Sequence, residues 1–249
     1  MKNVYDNSVF FNEYQEMRSN EINANNLIEI PIMRSFLPNL KNKTILDLGC
    51  GCGDMDKYFI ETGAKKILAT DISENMIKTA NEVNNHKDIE YKVLKMEDLN
   101  TLTQKFDIVY SSLAFHYIED FNKLLKDINN LLNENGMLIF SQESPLSTMN
   151  QPKFEGDENK VIIDGEKYNI VKNYNLEGER QVWWNNTQVT KYHRTYASLV
   201  NSLINNNFEI IEIKDSYATE ETIKLCPKYK NQMHKPYFTF VKAIKKNPR

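Results

Sequence analysis

The sequence predicts an α/β fold built on a seven-stranded, mostly parallel sheet that ends in an antiparallel hairpin. Between residues 43 and 143, short apolar runs alternate with amphipathic segments, which is typical of parallel strands joined by helices. Two more strand-like runs, at 208–214 and 237–245, follow without a long helix between them. Prolines and glycines interrupt residues 144–192, which indicates an insertion after the fifth strand.

Each element of the core has a local signal. Apolar runs of strand length predict strands over 43–48, 65–71, 89–95, 106–112 and 137–143. Amphipathic periodicity predicts helices over 54–63, 73–83, 120–136 and about 195–205. Ser73 and Asp120 are typical N-cap residues, and Gly63 and Gly136 are expected to end their helices. The second helix should bury one face, formed by Met76, Ile77, Ala80 and Val83.

Two further helices are predicted before the core. SVFFNEYQEMRS, residues 8–19, is amphipathic and carries aromatic residues on its apolar face. IPIMRSFLP, residues 30–38, tolerates Pro31 near its start and should end at Pro38.

Composition excludes several classes of protein. A net charge of −3 and a pI of about 5.9 disfavour a nucleic-acid partner, and the insertion and its junction carry as many acidic as basic residues. Three cysteines give no disulfide framework and favour the reducing cytoplasm. No stretch approaches the ~18 apolar residues of a membrane span.

The stretch ILDLGCGCGDM, residues 45–55, joins the first strand of the core to its first helix. Gly49, Gly51 and Gly53 can adopt positive φ and let a ligand approach the backbone. Asp71 ends the next strand, where a carboxylate can accept hydrogen bonds from ribose hydroxyls. This arrangement predicts a Rossmann-like cofactor site, in which NAD and S-adenosylmethionine are both candidates.

The acids around the glycines distinguish the two cofactors. Asp54 follows the last glycine, where a negative charge at the start of the helix would repel a pyrophosphate. Asp47 adds a second negative charge beside the loop. S-adenosylmethionine has no phosphate, and its ammonium and sulfonium groups are attracted by carboxylates. The sequence therefore favours S-adenosylmethionine over NAD.

Cys50 and Cys52 raise the alternative of a metal site. Structural zinc sites need C-x₂₋₄-C and two further ligands, whereas Cys226 and the four histidines are scattered along the chain. We therefore expect no metal.

Four motifs in order, ILDLGCGCG, ATDIS, MEDL and FDIVYSSLAFHYIED, resemble those of class I S-adenosylmethionine-dependent methyltransferases. The most similar group includes ubiquinone- and menaquinone-type and other small-molecule methyltransferases, and the resemblance covers roughly residues 40–145. It implies that the loop from Asp47 to Gly53 lines the methionine moiety, that Asp71 binds ribose, and that Asp98 and Leu99 meet adenine. Cys52 departs from the pattern, since such loops often carry a bulkier residue, Thr or Phe there.

The resemblance and the residues together divide the chain into four parts. Residues 1–40 are expected to form a helical lid, 41–143 the cofactor-binding core, 144–192 a substrate-facing insertion and 193–249 the rest of the core. The expected cofactor-binding residues are Tyr14, Arg18, Asp47, Gly49, Cys50, Gly51, Gly53, Asp71, Ile72, Met76, Glu97, Asp98, Leu99, Ser111 and His116.

Tyr14 and Arg18 lie one turn apart on the first helix. If that helix closes over the cofactor, Arg18 could pair with the methionine carboxylate and Tyr14 could cover the methyl group. The alternative is an ordinary amphipathic helix.

Candidate catalytic residues are His116, after the fourth strand, and His193, where the insertion rejoins the core. Either histidine could take a proton from an acceptor, or His116 could only shape the cofactor pocket. Trp183 and Trp184 are adjacent on a predicted strand and point to opposite faces, so at most one lines the site directly and packing is the alternative role. The expected substrate-binding residues are Tyr117, Trp183, Trp184, Tyr192 and His193.

The sequence thus predicts an enzyme, an S-adenosylmethionine-dependent methyltransferase that acts on an O, N or C nucleophile of a small molecule by in-line displacement. Because the sulfonium is already electrophilic, the protein needs mainly to align the acceptor and exclude water. YSSL, residues 110–113, lacks both the [DNS]-P-P-[YF] signature and the Pro-Cys pair of DNA methyltransferases. An RNA or protein methyltransferase and a non-catalytic S-adenosylmethionine-binding protein remain alternatives.

Overall fold

The computed structural model describes residues 4–150, 160–184 and 187–246. Its strands are β1 (Thr44–Leu48), β2 (Lys66–Asp71), β3 (Ile89–Val93), β4 (Phe106–Ser111), β5 (Leu132–Glu143), β6 (Lys160–Ile163), β7 (Glu166–Asn169), β8 (Gly178–Trp184), β9 (Thr187–His193), β10 (Phe208–Asp215) and β11 (Phe238–Lys245). Its α-helices are α1 (Ser8–Ser19), α2 (Ile30–Phe36), α3 (Asp54–Glu61), α4 (Glu74–Val83), α5 (Phe121–Leu131), α6 (Pro145–Thr148), α7 (Tyr196–Asn205) and α8 (Glu220–Leu225).

A seven-stranded sheet in the order β10-β11-β5-β4-β1-β2-β3 forms the centre of the fold. The first five strands pair in parallel, while β11 is antiparallel to both β5 and β10. The order reverses between β1 and β4, which is the point where open α/β sheets bind ligands. The predicted fold class is therefore confirmed, although α8 and a 3₁₀ segment, Pro227–Met233, separate the two antiparallel strands.

Two apolar layers cover the sheet, as expected for strands buried on both faces. One layer holds the stripes of α5 and α7, including Leu125, Ile128 and Leu203, none of which is exposed. The other holds α2 and α3, with Met33 and Phe59 fully buried. Packing on both faces fixes the carboxyl ends of the strands, where the site lies.

Helix α5 ends earlier than the sequence predicts. It stops at Leu131, and β5 begins at Leu132, so Gly136 lies in a strand and does not end the helix. Asn135 takes the positive φ of 58° instead, a conformation that Asn tolerates better than most residues. Leu132 pairs with Phe106 and is buried in the sheet. Its apolar side chain fits the helical pattern in the sequence, although the residue belongs to the strand. In α4, Val83 is 62% exposed rather than buried.

The N-terminal segment and the hairpin β8–β9 both lie beside the sheet's binding edge. Asn7 caps α1, because its Oδ1 accepts hydrogen bonds from the backbone of Val9 and Phe10 at 3.0 and 3.1 Å. A π-helical turn, Asn25–Glu29, leads into α2. In the insertion, β6 pairs with β7 and β8 with β9, each as an antiparallel hairpin. Among the described residues, no helix combines the length and apolar character that crossing a membrane requires.

Candidate functional site

A cavity of about 980 Å³ lies at the reversal point of the sheet. Its walls come from the glycine loop, the ends of β2, β4 and β5, helices α1 and α4, and the hairpin β8–β9. It therefore combines sequence segments from the whole chain at the edge where parallel strands end.

The glycine loop has the left-handed backbone that its composition predicts. Gly49, Gly51 and Gly53 have φ of 76°, 56° and 83°. The amides of Gly49 and Cys50 donate to the carbonyl oxygen of Thr70 at 2.8 and 3.0 Å, which ties the loop to β2. A Cβ on Gly49 would lie 2.7 Å from that of Ala114, whereas one on Gly51 would meet nothing within 4 Å. The loop thus presents open backbone to the cavity at Gly51.

Asp71 is held by the backbone around it. Its two carboxylate oxygens accept from the amides of Gly51 at 3.0 Å and Ser73 at 2.8 Å. Burial raises the pKa of Asp71 to about 6, although these two backbone donors lower it. The carboxylate is fixed in orientation and lines the cavity.

Asp47 and Asp56 are buried acids behind the loop. Asp47 is 2% exposed, lines the cavity, and its Oδ1 has no hydrogen-bond partner. Burial raises the pKa of Asp47 to about 7, and burial together with the neighbouring Asp47 raises that of Asp56 further above its usual range. A buried carboxyl with an unused oxygen is costly unless a donor or cation satisfies it. The wall therefore fits a ligand that brings an ammonium group.

Eleven of the fifteen residues predicted to bind the cofactor line the cavity: Tyr14, Arg18, Asp47, Gly49, Cys50, Gly51, Asp71, Ile72, Met76, Glu97 and His116.

The other four are not on the cavity wall. Asp98 is exposed, and Leu99 is fully buried in the apolar layer under α5. Leu94 and Met96 line that part of the cavity instead.

Gly53 lies behind the loop against the phenol of Tyr91. Ser111 is buried and donates to the carbonyl oxygen of Leu48 at 2.7 Å, whereas its neighbour Ser112 lines the cavity. At the end of β4, neighbouring side chains point to opposite faces of the sheet.

His116 lines the far end of the cavity, with the ring of Tyr117 packed 4.2 Å from its own. Its Nδ1 accepts a hydrogen bond of 3.3 Å from the amide of Glu143. Burial lowers the pKa of His116 to about 3, so the ring stays neutral and carries its proton on Nε2. The nitrogen that could take up a proton is thus already bonded to the backbone.

An ion pair lies beside this histidine. Lys191 Nζ is 2.5 Å from Glu143 Oε1, and the lysine side chain is only 8% exposed. The ammonium also lies 5.9 and 5.6 Å from the ring centres of Tyr117 and Trp184. Burial lowers the pKa of Lys191, but Glu143 outweighs this and leaves it above its usual value.

His193 and Tyr192 do not reach the cavity. His193 lies at the end of β9, 1% exposed, where Nδ1 is 2.9 Å from the hydroxyl of Thr148 and Nε2 is 2.8 Å from the carbonyl oxygen of Tyr174. Tyr192 donates to Glu119 at 3.4 Å on the outer side of the hairpin. The junction of insertion and core is therefore a packed structural element, and the expected contact of His193 with the site is not formed.

The two adjacent tryptophans at the end of β8 differ in their surroundings. Trp184 lines the cavity, whereas Trp183 is 39% exposed. The indole of Trp184 packs edge-to-face against Tyr5, Phe10 and Tyr14, with ring centres 5.3–6.2 Å apart. These four rings form an aromatic cover over the end of the cavity.

Polar contacts hold the N-terminal segment over the cavity. Gln15 donates to Cys52 Sγ at 2.9 Å, and Arg18 lies 3.5 Å from Asp54 on the other side of the loop. Asp6 accepts a 2.6 Å hydrogen bond from the hydroxyl of Ser73. Helix α1 therefore contacts the glycine loop directly.

Several residues of this site are absent from the sequence-based predictions. Glu143 ends the fifth strand, and the rule that found Asp71 could have found it too. Tyr5 and Lys191 carry no comparable local signal. All three cysteines are free, and the described residues include no group of three side chains suited to a metal ion.

Fold and cavity together define a Rossmann-like protein whose acidic binding edge suits a cationic adenosine cofactor. A family model described as a methyltransferase domain matches residues 46–140. An S-adenosylmethionine-dependent methyltransferase structure from Mesorhizobium loti is 30% identical, with a TM-score of 0.79 over 87% of this chain and 97% of that one.

Two relatives are known from their sequences. An uncharacterized protein of Haemophilus influenzae (strain ATCC 51907 / DSM 11121 / KW20 / Rd) is 38% identical over 97% of this chain and 96% of its own. A ubiquinone biosynthesis O-methyltransferase of Neisseria meningitidis serogroup C (strain 053442) is 31% identical over 41% of this chain and 45% of its own. The chain belongs to the class I S-adenosylmethionine-dependent methyltransferases, and S-adenosylmethionine is its cofactor.

Proposed function

We propose that this enzyme methylates a small molecule that enters the end of the cavity closed by Tyr5, Tyr14, Tyr117 and Trp184. The enclosure of this end by aromatic side chains is the observation that carries the proposal. A cavity of about 980 Å³ is at the upper end of the ~300–1,000 Å³ range of small-molecule sites, so it has room for the cofactor and a small acceptor. A protein or nucleic-acid strand would need a more open groove.

The acidic residues are proposed to hold the cofactor. Asp71, oriented by two backbone amides, accepts from the ribose hydroxyls. The unused oxygen of Asp47 accepts from the ammonium, and the apolar side chains of Ile72, Leu94 and Met96 pack against the adenine. S-adenosylmethionine supplies an electrophilic methyl group, so the surrounding residues need only orient the acceptor and exclude water.

His116 is proposed to bind the acceptor as a hydrogen-bond donor and not to act as a general base. Its Nδ1 is used by the amide of Glu143, which leaves Nε2–H as the polar group of the ring. This arrangement suits an acceptor that is already nucleophilic when it binds. Such an acceptor does not need to transfer a proton to histidine.

The decisive experiment follows labelled methyl from S-adenosylmethionine into cell extract that is separated into metabolite, protein and RNA fractions. Label in the metabolite fraction supports the proposal, and label confined to protein or RNA contradicts it. Calorimetry with S-adenosylhomocysteine provides the control that the protein is folded and binds its cofactor product.

Removing one ring of the aromatic cover should expose the reacting end to water. We expect Tyr14→Ala to lower turnover by roughly 5-fold, because truncating an aromatic contact costs on the order of 1 kcal/mol beyond its buried area. The measurement is the initial rate of methyl transfer to the metabolite fraction. Glu16→Ala, an exposed position on the same helix, is the matched control. Equal rates in the two variants would mean that α1 does not act as a lid.

A further inference from the structure

A second recess, of about 390 Å³, adjoins the main cavity on the side of the insertion. The two spaces share three wall residues, Glu143, Trp184 and Lys191. The remaining walls come from the turn after β5, from β6 and β8, and from the segment before β11. The recess therefore lies next to the acceptor end.

The described walls of this recess carry charge of the opposite sign to the walls of the cofactor end. Its described walls carry four cationic side chains, Lys160, Arg180, Lys191 and Lys235, and a single acid, Glu143. The main cavity is instead lined by five acids, Asp47, Asp54, Asp71, Glu97 and Glu143, against the cations Arg18 and Lys191. Because the whole chain has a net charge of −3, this basic recess is a local feature of the fold.

The cations differ in the groups that they already bind. The Arg180 guanidinium donates to the backbone carbonyl oxygens of Met149, Leu176, Gly178 and Glu179, so it supplies charge but has little donor capacity left.

Lys191 is paired with one oxygen of Glu143, while an ammonium has three N–H donors. Burial raises the pKa of Glu143, but the nearby charge and hydrogen bond of Lys191 outweigh it, and Lys235 is close enough to lower this pKa further. Among the described walls of the recess, Glu143 thus lies near more than one cation.

We propose that the methyl acceptor carries an anionic oxygen group, a carboxylate or a phosphate, which this recess binds while the methylated atom lies in the main cavity. The inference rests on the proposed function, since it names the chemical class of the small acceptor. No residue of the glycine loop lines the recess, so the carboxylate of the cofactor is not its occupant. Lys191, on the wall between the two spaces, contacts the acceptor from either side.

The two tryptophans of the chain, Trp183 and Trp184, both line the recess, so their fluorescence reports on its occupancy. The full chain, saturated with S-adenosylhomocysteine, is titrated with inorganic phosphate and separately with acetate, with chloride at equal ionic strength as the reference. We expect a saturable change with at least one of the two anions. The stronger response identifies the acceptor group as phosphate or carboxylate.

Lys235→Gln and Lys160→Gln should each weaken this binding by about 10-fold, the typical effect of losing a charge-assisted contact. Lys230→Gln, an exposed lysine of the 3₁₀ segment that does not line the recess, should leave it unchanged. Calorimetry with S-adenosylhomocysteine verifies that each variant is folded. A response to anions that is the same in all three variants, or the absence of any saturable response in the unaltered chain, overturns the inference.

The KM of the methyl acceptor gives an independent measurement. Among metabolites labelled by the enzyme, those with a carboxylate or phosphate should have a KM that rises about 10-fold in Lys235→Gln. Label in a metabolite without an anionic group overturns the inference and leaves the proposed function intact. Label in protein or RNA contradicts the proposed function, while the fluorescence titration still decides whether the recess binds anions.

Discussion

Replacing Asp71 with alanine will weaken the binding of S-adenosylmethionine by roughly 10- to 100-fold, since a hydrogen bond to a charged group, or a buried donor left unpaired, is worth ~1–3 kcal/mol. The substitution removes the proposed partner of the ribose hydroxyls. It also leaves the amides of Gly51 and Ser73, now bonded at 3.0 and 2.8 Å, without their acceptor. Calorimetric titration with the cofactor measures the effect.

Glu74→Ala is the matched control for Asp71→Ala. Glu74 is an acid three residues further on, is exposed, and does not line the cavity, so its loss changes the net charge by the same amount. Unchanged cofactor affinity in Asp71→Ala would remove this residue from the ribose role. Equal losses in both variants would show that only the overall charge matters.

Replacing Asp47 with asparagine will stabilise the cofactor-free protein at high pH and weaken cofactor binding. In the folded chain, burial raises the pKa of Asp47 to about 7 from the ordinary value of 3.8. The folded state therefore holds a proton that the unfolded chain has released. Its contribution to the free energy of unfolding is complete below about pH 4 and is lost as the pH rises through 7.

Asparagine keeps the shape of this side chain but has no charge to bury. We expect the unfolding midpoint of Asp47→Asn without cofactor to be higher by ~4–8 °C at pH 8, corresponding to about 2 kcal/mol, and nearly unchanged at pH 4. Differential scanning calorimetry at the two pH values measures the difference.

The cofactor should reverse the order of stability of Asp47→Asn and the unaltered chain. An ionised Asp47 attracts the ammonium, so binding to the unaltered chain should strengthen between pH 5 and 8, and Asp47→Asn should lose part of this rise. The pKa of Asp71, raised to about 6, accounts for the part that remains. Asp98→Asn, at an exposed position, is the control. A pH profile of Asp47→Asn that matches the unaltered chain in both stability and affinity contradicts this role for the buried carboxyl.

The sequence is sufficient to predict the fold because its signals are local and repeated. Alternating strands and helices, a capped α4 and three glycines after β1 define the sheet and its binding edge without reference to distant residues. The error at α5 has a physical reason: Leu132 is apolar in either a helical stripe or a strand, and only its pairing with Phe106 decides between them.

The aromatic end of the cavity was predicted less well because it is assembled from distant segments. Glu143 and Lys191 are 48 residues apart, and Tyr5 meets Trp184 only when α1 folds over the loop. His193 has a titratable ring at a plausible junction, but packing against Thr148 and Tyr174 uses both of its nitrogens. Periodicity and spacing cannot report such contacts.

Trp184 belongs to both halves of the binding surface. Its indole packs against the rings of the N-terminal segment and also forms part of the wall of the basic recess. A displacement of this side chain therefore changes the aromatic cover of the main cavity and the shape of the recess at the same time. Kinetic constants of a Trp184 variant will mix the two effects, so cofactor and acceptor affinities must be measured separately at this position.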